Sequence, residues 1–308
     1  MSAHGTTAVM DGRGKRRPLG QKSFWHAFPY IAPHMVVFAI FGVIPIFFGI
    51  YLAFTRWNLV GSPTWVGLDN FKLIFDKSTY FYSIFWRDMW HTIIFVLISV
   101  PLTIVVPLLL ACALQTKHLK GVGLFQAIFY VPGLISVAAG ALVWRLVFNS
   151  QFGLLNTTFR WDINWLGKQP WAWIAIFVLS LWGGIGGNLI IYRSALSGVS
   201  QDLYEAASVD GAGPIRQFFS ITLPAIKLPL FYTTIMTTGG AFNVWGQPQM
   251  LTGGGPAYTS QVLLMDIRNL AFPQGPSAAG MASAMALLLG IILMLISLVQ
   301  IFFMNKED

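Results

Sequence analysis

Acid–base, nucleophile and metal chemistry need His, Asp, Glu or Cys gathered in one place. This 308-residue sequence scatters them. Its five histidines fall with no Asp or Glu cluster at a common depth, which argues against a membrane-embedded enzyme. Cys112, the single cysteine, sits inside an apolar run, so neither a disulfide framework nor a Cys-based metal site can be built from it. Around Gly14-Lys15, Val9 stands where the first glycine of a phosphate loop belongs, and Arg16 where its hydroxyl belongs. Any ATP chemistry must therefore reside on another polypeptide. What the chain offers instead is the chemistry of contact, in one polar loop and two glycine-rich segments carrying Trp and Asn.

The loop runs from Tyr204-Glu-Ala-Ala-Ser-Val-Asp-Gly-Ala-Gly into Pro214-Ile-Arg-Gln-Phe-Phe-Ser-Ile-Thr-Leu-Pro224. Ser200 suits an N-cap, and Asp202 and Glu205 favour the positive end of a helix dipole. Leu203, Ala206, Ala207 and Asp210 share one face of that helix, most of it small residues. Gly211 and Gly213 can supply the left-handed backbone that ends it, and Pro214 opens a second helix where its missing N–H costs nothing. Leu223-Pro224 is expected to turn the chain into the next apolar run. The spacing predicts a short helix, a tight turn and a second helix.

Long apolar elements must position that loop. The chain is 56% hydrophobic and 10% charged, against roughly 25% charged in a soluble domain, so a bilayer is its solvent. Six runs are long enough to span at roughly 20 residues each: Ile31 to Phe54, Thr92 to Leu114, Val122 to Val147, Trp171 to Tyr192, Leu228 to Trp245 and Gly280 to Met304. Six spans put both termini on one side. Arg13, Lys15, Arg16, Arg17 and Lys22 before the first span, with Lys117 and Lys120 in a short loop, mark that side as cytoplasmic. Arg56, Lys72, Lys77 and Arg87 lie in the opposite loop, where Asp69, Asp76 and Asp88 dilute them. The first run is too long for a secretory signal and lacks a small-residue cleavage site. Residues 1–28 are therefore expected as a cytoplasmic tail, with some attraction to anionic membrane lipid, and 29–308 as the six-helix membrane domain. The +8 net charge is spread over a tail and short loops, not gathered as a nucleic-acid surface. Pro45, Pro101, Pro107, Pro132 and Pro229 kink their spans, which suits a transporter better than an anchor.

The loop resembles the signature loop of permeases in ATP-binding-cassette importers, whose pattern is Glu-Ala-Ala, three residues, Gly, nine residues, then Ile-x-Leu-Pro. Glu205-Ala206-Ala207, Gly211, Ile221, Leu223 and Pro224 keep those spacings. Asp-Leu-Tyr-Glu-Ala-Ala, Asp-Gly-Ala-Gly-Pro and Gln249-Met-Leu-Thr-Gly-Gly-Gly-Pro256 are similar to the carbohydrate branch, near the larger permease subunit of maltodextrin-type systems, without that subunit's large extra external domain. The likeness is firm from Leu181 to Met304. It implies an all-α, six-span type I importer permease in the cytoplasmic (inner) membrane of a bacterium or archaeon, with a cytoplasmic coupling helix inside a loop at about 195–226. The implied partners are a second homologous permease, two ATPase subunits carrying ATP and Mg, and an extracytoplasmic solute-binding protein. On this likeness the chain itself is expected to bind no cofactor and to be no enzyme. Small Ala206 and Ala207 would admit the ATPase closely, and Glu205 would pair with a basic group on it.

Matched residue by residue, the resemblance places Ser180, Gly183, Gly184 and Gly187 on one wall of a mid-membrane solute site and Gly239, Asn243 and Gly246 on the other. Asn243 alone keeps an amide there. Trp182 or Trp245 offers an aromatic face for a sugar. Gly183 and Gly187 equally suit close helix packing, and Asn188 a hydrogen bond across a helix interface. His34 lies near a span end and Arg145 can snorkel outward, so neither is given a role. The segment from Gln249 to Pro276 is expected to carry an interfacial helix at Val262 to Ala271, meeting the binding protein or packing over the spans as a lid. Two other readings remain. Glycerol-phosphate or polyol carriers share the subfamily, and an ion-coupled secondary transporter would need acidic residues inside the spans, where none lies well within any.

Overall fold

The computed structural model describes residues 24–115, 120–273 and 277–306. Most of the expected tail and the basic residues before the first span lie outside them, as does Lys117. Contacts divide the chain after Tyr51. In the first unit, α1 (Phe24–Phe38) runs through a π turn (Ala39–Val43) into α2 (Ile44–Ala53). Its large side chains, such as Ile31, Val37, Phe41 and Phe47, are exposed on all sides, as befits a helix whose solvent is hydrocarbon.

The second unit opens with a departure from the all-helical expectation, a two-strand hairpin in which β1 (Thr55–Arg56) pairs antiparallel with β2 (Thr64–Trp65). Asn70, on α3 (Asp69–Phe75), holds it by donating to the carbonyls of Ala53 and Thr55 at 2.9 and 2.8 Å.

Next, α4 (Tyr80–Leu114) corrects the second predicted span, which was placed from Thr92. Arg87, Asp88 and His91 interrupt the apolar run but not the helix. Thr79 caps it by accepting from the Tyr82 N–H at 3.1 Å, and Arg87 neutralises Asp88, which is fully buried. Thirty-five residues span about 52 Å at about 1.5 Å per residue, well beyond a hydrocarbon core of about 30 Å. An acid therefore sits on a span helix where none was expected.

The third predicted span is not one straight helix. α5 (Val122–Tyr130) gives way to a 3-10 turn (Val131–Leu134), and α6 (Val137–Val147) leaves at 106° to the helix before it. Pro132 has no N–H to continue α5, and Ser136 restarts the chain by accepting from the Ala139 N–H at 3.3 Å. After α7 (Leu154–Phe159), α8 (Trp171–Ser197) outlasts its predicted end at Tyr192.

The polar loop holds α9 (Gln201–Val209), α10 (Pro214–Gln217) and α11 (Leu223–Ala225). The chain stays helical through Leu223 and Pro224 and bends by 75° only at Ile226, before α12 (Lys227–Phe242). That helix stops short of Asn243–Trp245, which the fifth predicted span included. Then follow α13 (Gly246–Leu251), α14 (Leu263–Ala271), close to the expected interfacial helix, and α15 (Ala279–Lys306). Four helices are long and apolar enough to cross a membrane, and there are six crossings if each bent pair is one.

At the centre α4 and α8 run parallel. Phe95 stacks on Phe177 at 5.6 Å towards one end, and Gln115 Nε2 donates to the Leu196 carbonyl at the other. Gly186 permits α5 to press on α8, since a Cβ there would lie 2.6 Å from Tyr130 Cα. One buried cluster gathers Phe85, Phe95, Leu179, Met265 and Met285 towards the α14 end. A second gathers Leu108, Leu189, Tyr192 and Ile226 towards the α9 end.

Candidate functional site

Each turn of the loop is fixed by a local rule. Ser200 Oγ accepts from the Asp202 N–H at 3.2 Å. At the far end of α9 the Ala212 N–H reaches the Ala207 carbonyl at 2.8 Å and the Gly211 N–H reaches that of Ser208 at 3.1 Å. This pair of bonds is the Schellman closure, and it needs the φ of +76° that Gly211 adopts. Gly213 is extended instead and serves as N-cap to α10, with Pro214 in its first turn. Gln217 Nε2 donates to Ser208 Oγ at 2.8 Å and the Ala212 carbonyl at 2.9 Å, and the Tyr204 and Thr222 hydroxyls meet at 3.0 Å. Two short helices thus form one stapled hairpin. Phe218 and Leu223 pack on the buried cluster of Leu108, Leu189 and Tyr192, so a force on the hairpin reaches α4 and α8 directly.

The hairpin's outer surface carries large apolar side chains among its charged ones. Leu203, Val209, Ile215 and Phe219 are 54%, 89%, 77% and 62% exposed. Glu205, Ala206, Gly211 and Pro224 are exposed too, whereas Ala207, Ile221 and Leu223 are half-buried.

Between the two clusters lies a cavity of about 610 Å³. Phe95, Ser99 and Thr103 of α4, Val137 and Ala138 of α6, and Gly184, Gly187 and Asn188 of α8 form part of its wall. Thr237, Gly240 and Ala241 of α12 continue it, and the turn Asn243–Trp245 with Gly246, Gln247 and Met250 of α13 completes it. Among the described residues, no ionisable one lines it.

Asn188 organises this wall. Pro107 has no N–H for the Thr103 carbonyl four residues before it. Asn188 Nδ2 donates to that orphan at 2.7 Å and to Thr237 Oγ1 at 3.2 Å, joining α4, α8 and α12. The break after Phe242 in turn brings Asn243 and Trp245 to the cavity. Asn243 Nδ2 donates back to the Gly239 carbonyl at 2.8 Å. The Arg268 guanidinium lies 3.5 Å from the Trp245 ring centroid and covers one of its faces.

Of the residues proposed from sequence, Gly184, Gly187, Asn243, Trp245 and Gly246 line this cavity. Trp182 and Gly183 border a separate pocket of about 40 Å³ beside Gly140 and Leu179. Trp182 packs edge-on against Trp144 at 5.9 Å. Ser180 Oγ donates to the Ile176 carbonyl on its own helix, and Gly239 contributes only the carbonyl that Asn243 uses. Tight approach on α8 is made at Gly186, while a Cβ on Gly183 or Gly187 would meet nothing within 4 Å. Sequence reasoning missed Ser99, Thr103, Asn188, Thr237 and Gln247 as wall residues. The available signal was Pro107, which predicts an orphan carbonyl but not its partner.

Comparison with known proteins follows from this geometry. A probable ABC transporter permease of Bacillus subtilis, YurN, is 33% identical over 283 residues, 89% of this chain and 94% of that one. AmyD of Thermoanaerobacterium thermosulfurigenes, a probable permease of a transport system for starch degradation products, is 28% identical over 96% of this chain and 98% of its own. Among solved structures, a bacterial ABC transporter involved in importing the acidic polysaccharide alginate shares the fold. Its TM-score is 0.77 at 23% identity, covering 92% of this chain and 96% of that one. A bacterial alginate transporter in complex with an alginate pentasaccharide-bound periplasmic protein matches with a TM-score of 0.74. The family model for binding-protein-dependent transport system inner membrane components matches residues 77–305, from just before α4 into α15. The chain belongs to that family and is a multi-pass permease subunit of an ABC transporter, not an enzyme.

Proposed function

We propose that this permease forms one half of the membrane path for a neutral oligosaccharide in an ATP-driven importer, and that the hairpin of α9 to α11 docks a separate ATPase. The observation that carries this is the cavity, whose described lining includes the hydroxyl- and amide-bearing residues Ser99, Thr103, Asn188, Thr237, Asn243 and Gln247 beside the Trp245 indole, and no ionisable residue. Such walls suit a polyhydroxylated solute, which needs many neutral partners and an apolar plane. A phosphate or uronate carboxylate would meet no cation here, and burying an unpaired anion costs several kcal/mol. A polyol phosphate is disfavoured on that ground, and an ion-coupled carrier would want an ionisable group at the cavity.

The solute contacts would come from Asn243, Trp245 and Gln247, with Gly184, Gly187 and Gly246 leaving room for them. Docking is assigned to Glu205, Ala206, Ala207 and Gly211 with the exposed apolar side chains around them. Ile221, Leu223 and Pro224 carry the motion inwards as a rigid body between two states. A homologous permease would supply the facing wall, two ATPase subunits would hold ATP and Mg, and a binding protein would deliver solute at the α14 end, the α9 end being cytoplasmic with both termini. The name of the starch-product permease and the binding-protein complex of the alginate transporter support these assignments. The test is uptake by liposomes holding the complete complex. Neutral oligosaccharides should be imported and stimulate ATP hydrolysis, with Asn243→Ala reducing both while assembly persists. Import of polyol phosphates but not neutral saccharides would overturn the proposal.

A further inference from the structure

Away from the cavity walls, where the first turns of α4 meet α14, two acids are buried beside a partly exposed arginine. Arg87 Nε and Nη2 donate to the two Asp88 oxygens at 2.7 and 2.9 Å, and Asp88 has no exposed surface. His91 Nδ1 lies 2.8 Å from the Gln261 carbonyl and 3.5 Å from Asp88 Oδ1. Thr92 Oγ1 donates to the Asp88 carbonyl and accepts from the Leu263 N–H, tying the first residue of α14 to α4.

Asp266, one turn along α14, shares the Arg87 guanidinium with Asp88: Arg87 Nη2 lies 2.9 Å from Asp88 Oδ2 and 4.0 Å from Asp266 Oδ2, which brings the two carboxyl groups together. Its Oδ1 accepts from Gln261 Nε2 at 2.8 Å. Its Oδ2 is buried and takes no hydrogen bond from any described donor, with Arg87 Nη2 4.0 Å away. With Arg87 spent on Asp88, an ionised Asp266 would leave one negative charge uncompensated and one buried oxygen without a donor, which burial disfavours. A single proton on Asp266 Oδ2 removes both faults, since the acid then donates to the carboxylate.

We infer that Asp266 is held as the neutral acid, that its O–H donates to the Asp88 carboxylate, and that this shared proton latches α14 to α4 as a positioning contact for the transport cavity. The link to the cavity runs through the same helix, because Arg268, half a turn on, covers the face of Trp245, a wall residue. Burial first, and then the Asp88 carboxyl, push the Asp266 acid from the ordinary 3.8 up to about 8, with Gln261 and Arg87 pulling the other way. The remaining groups facing the pair are His91 and Tyr80 on α4 and Tyr258 in the loop, whose ring lies 5.2 Å from the Arg87 guanidinium. α15, also packed on α14, brings no ionisable group before Lys306.

The sign follows from proton counting. Between the ordinary carboxylate range and about 8, the latched form binds a proton that a released, solvated Asp266 does not. Low pH therefore favours the latch. The release constant rises up to about tenfold per pH unit through that window and levels off above it.

Infrared titration of the full-length chain in lipid nanodiscs tests this without solute or ATPase, so its failure is separate from failure of the transport proposal. A protonated-carboxyl band should be present at neutral pH, fade with a midpoint near 8, and be missing in Asp266→Asn. Hydrogen exchange of the α14 amides, corrected for intrinsic rates, should accelerate with pH below that midpoint. It should lose this dependence in Asp266→Asn, whose amide can donate to Asp88 at any pH. Should that variant not fold, Asp88→Asn must move the band's titration to lower pH. Absence of an acid band at neutral pH, its persistence in Asp266→Asn, or an unmoved titration in Asp88→Asn would each overturn the latch.

Discussion

At the α9 end of the α4–α8 pair, apolar side chains point outward: Val209, Ile215 and Phe219 are exposed, and Asp202, Glu205 and Asp210 are exposed beside them. At the α14 end the arrangement is inverted. Asp88 and Asp266 are buried, and hydrogen bonds from Arg87 and Gln261 to these acids and from the Leu263 N–H to Thr92 join the pieces. One end exposes apolar side chains with an unspent hydrophobic driving force, as the proposed docking of another polypeptide requires. The other is already closed by its own chain, with electrostatic contacts that hold only if every member stays paired. Mutations should therefore act on stability at one end and on association at the other.

The largest stability effect is expected from Asp88→Ala, which strips Arg87 of the carboxylate that accepts its two hydrogen bonds and removes the inferred acceptor of the Asp266 proton. Losing one partner of a buried pair costs about 3 kcal/mol, less here because Arg87 is partly exposed. Denaturant unfolding in detergent should show a loss of about 2 kcal/mol. A silent Asp88→Ala would abolish the contrast between the ends.

Between them, Asn188→Ala should cost about 1–2 kcal/mol by orphaning the Thr103 carbonyl beside Pro107. Its neighbour Gly187 offers the sharper comparison. Gly187→Ala meets nothing within 4 Å, so unfolding should show no loss and a gain of up to about 1 kcal/mol, while uptake kinetics are impaired.

Gln217→Ala, at the loop, removes the donor shared by Ser208 and Ala212 and should cost about 1 kcal/mol. Hydrogen exchange across α9 should rise while that across α14 stays put.

Smallest in stability is the double change Val209→Asp with Ile215→Asp, expected within about 0.5 kcal/mol of the parent. Co-purification of the ATPase should nevertheless be lost. Retained assembly would remove the apolar face from the docking surface, and marked unfolding would show that this end is not built for a partner.

How much of this was legible in the sequence depends on the range of the interactions concerned. Ser200, Gly211 and Pro214 punctuate the hairpin through bonds to residues two to five positions away, so reading them in order was enough. The membrane class and the count of six crossings rest on composition over long windows, which bending does not erase. Helix ends and directions were less legible. Hydropathy counts apolar residues but carries no angle, so the 106° break at Pro132 passed as a kink. It also mistakes a paired charge for a boundary, which is why α4 was started at Thr92 although Arg87 and Asp88 neutralise each other inside the helix.

The cavity shows the same divide. Asn243 and three glycines come from the family resemblance and Trp245 from its aromatic ring, whereas the α4 wall comes only with the packing of α4 on α8. Ser180, Trp182 and Gly183 lie on the right helix but turn to their own helix and to α6, a difference of side-chain direction that spacing alone does not encode.

By itself, then, the sequence determined a six-crossing membrane chain with a locally capped hairpin, because apolar length and capping are properties of contiguous residues. Only the tertiary structure decided which hydroxyls and amides share the uncharged cavity, which carbonyl Asn188 rescues, and that Asp88 meets Asp266. Those contacts join residues far apart in the chain, and the free energy that selects them exists only once α4, α8, α12 and α14 are packed together.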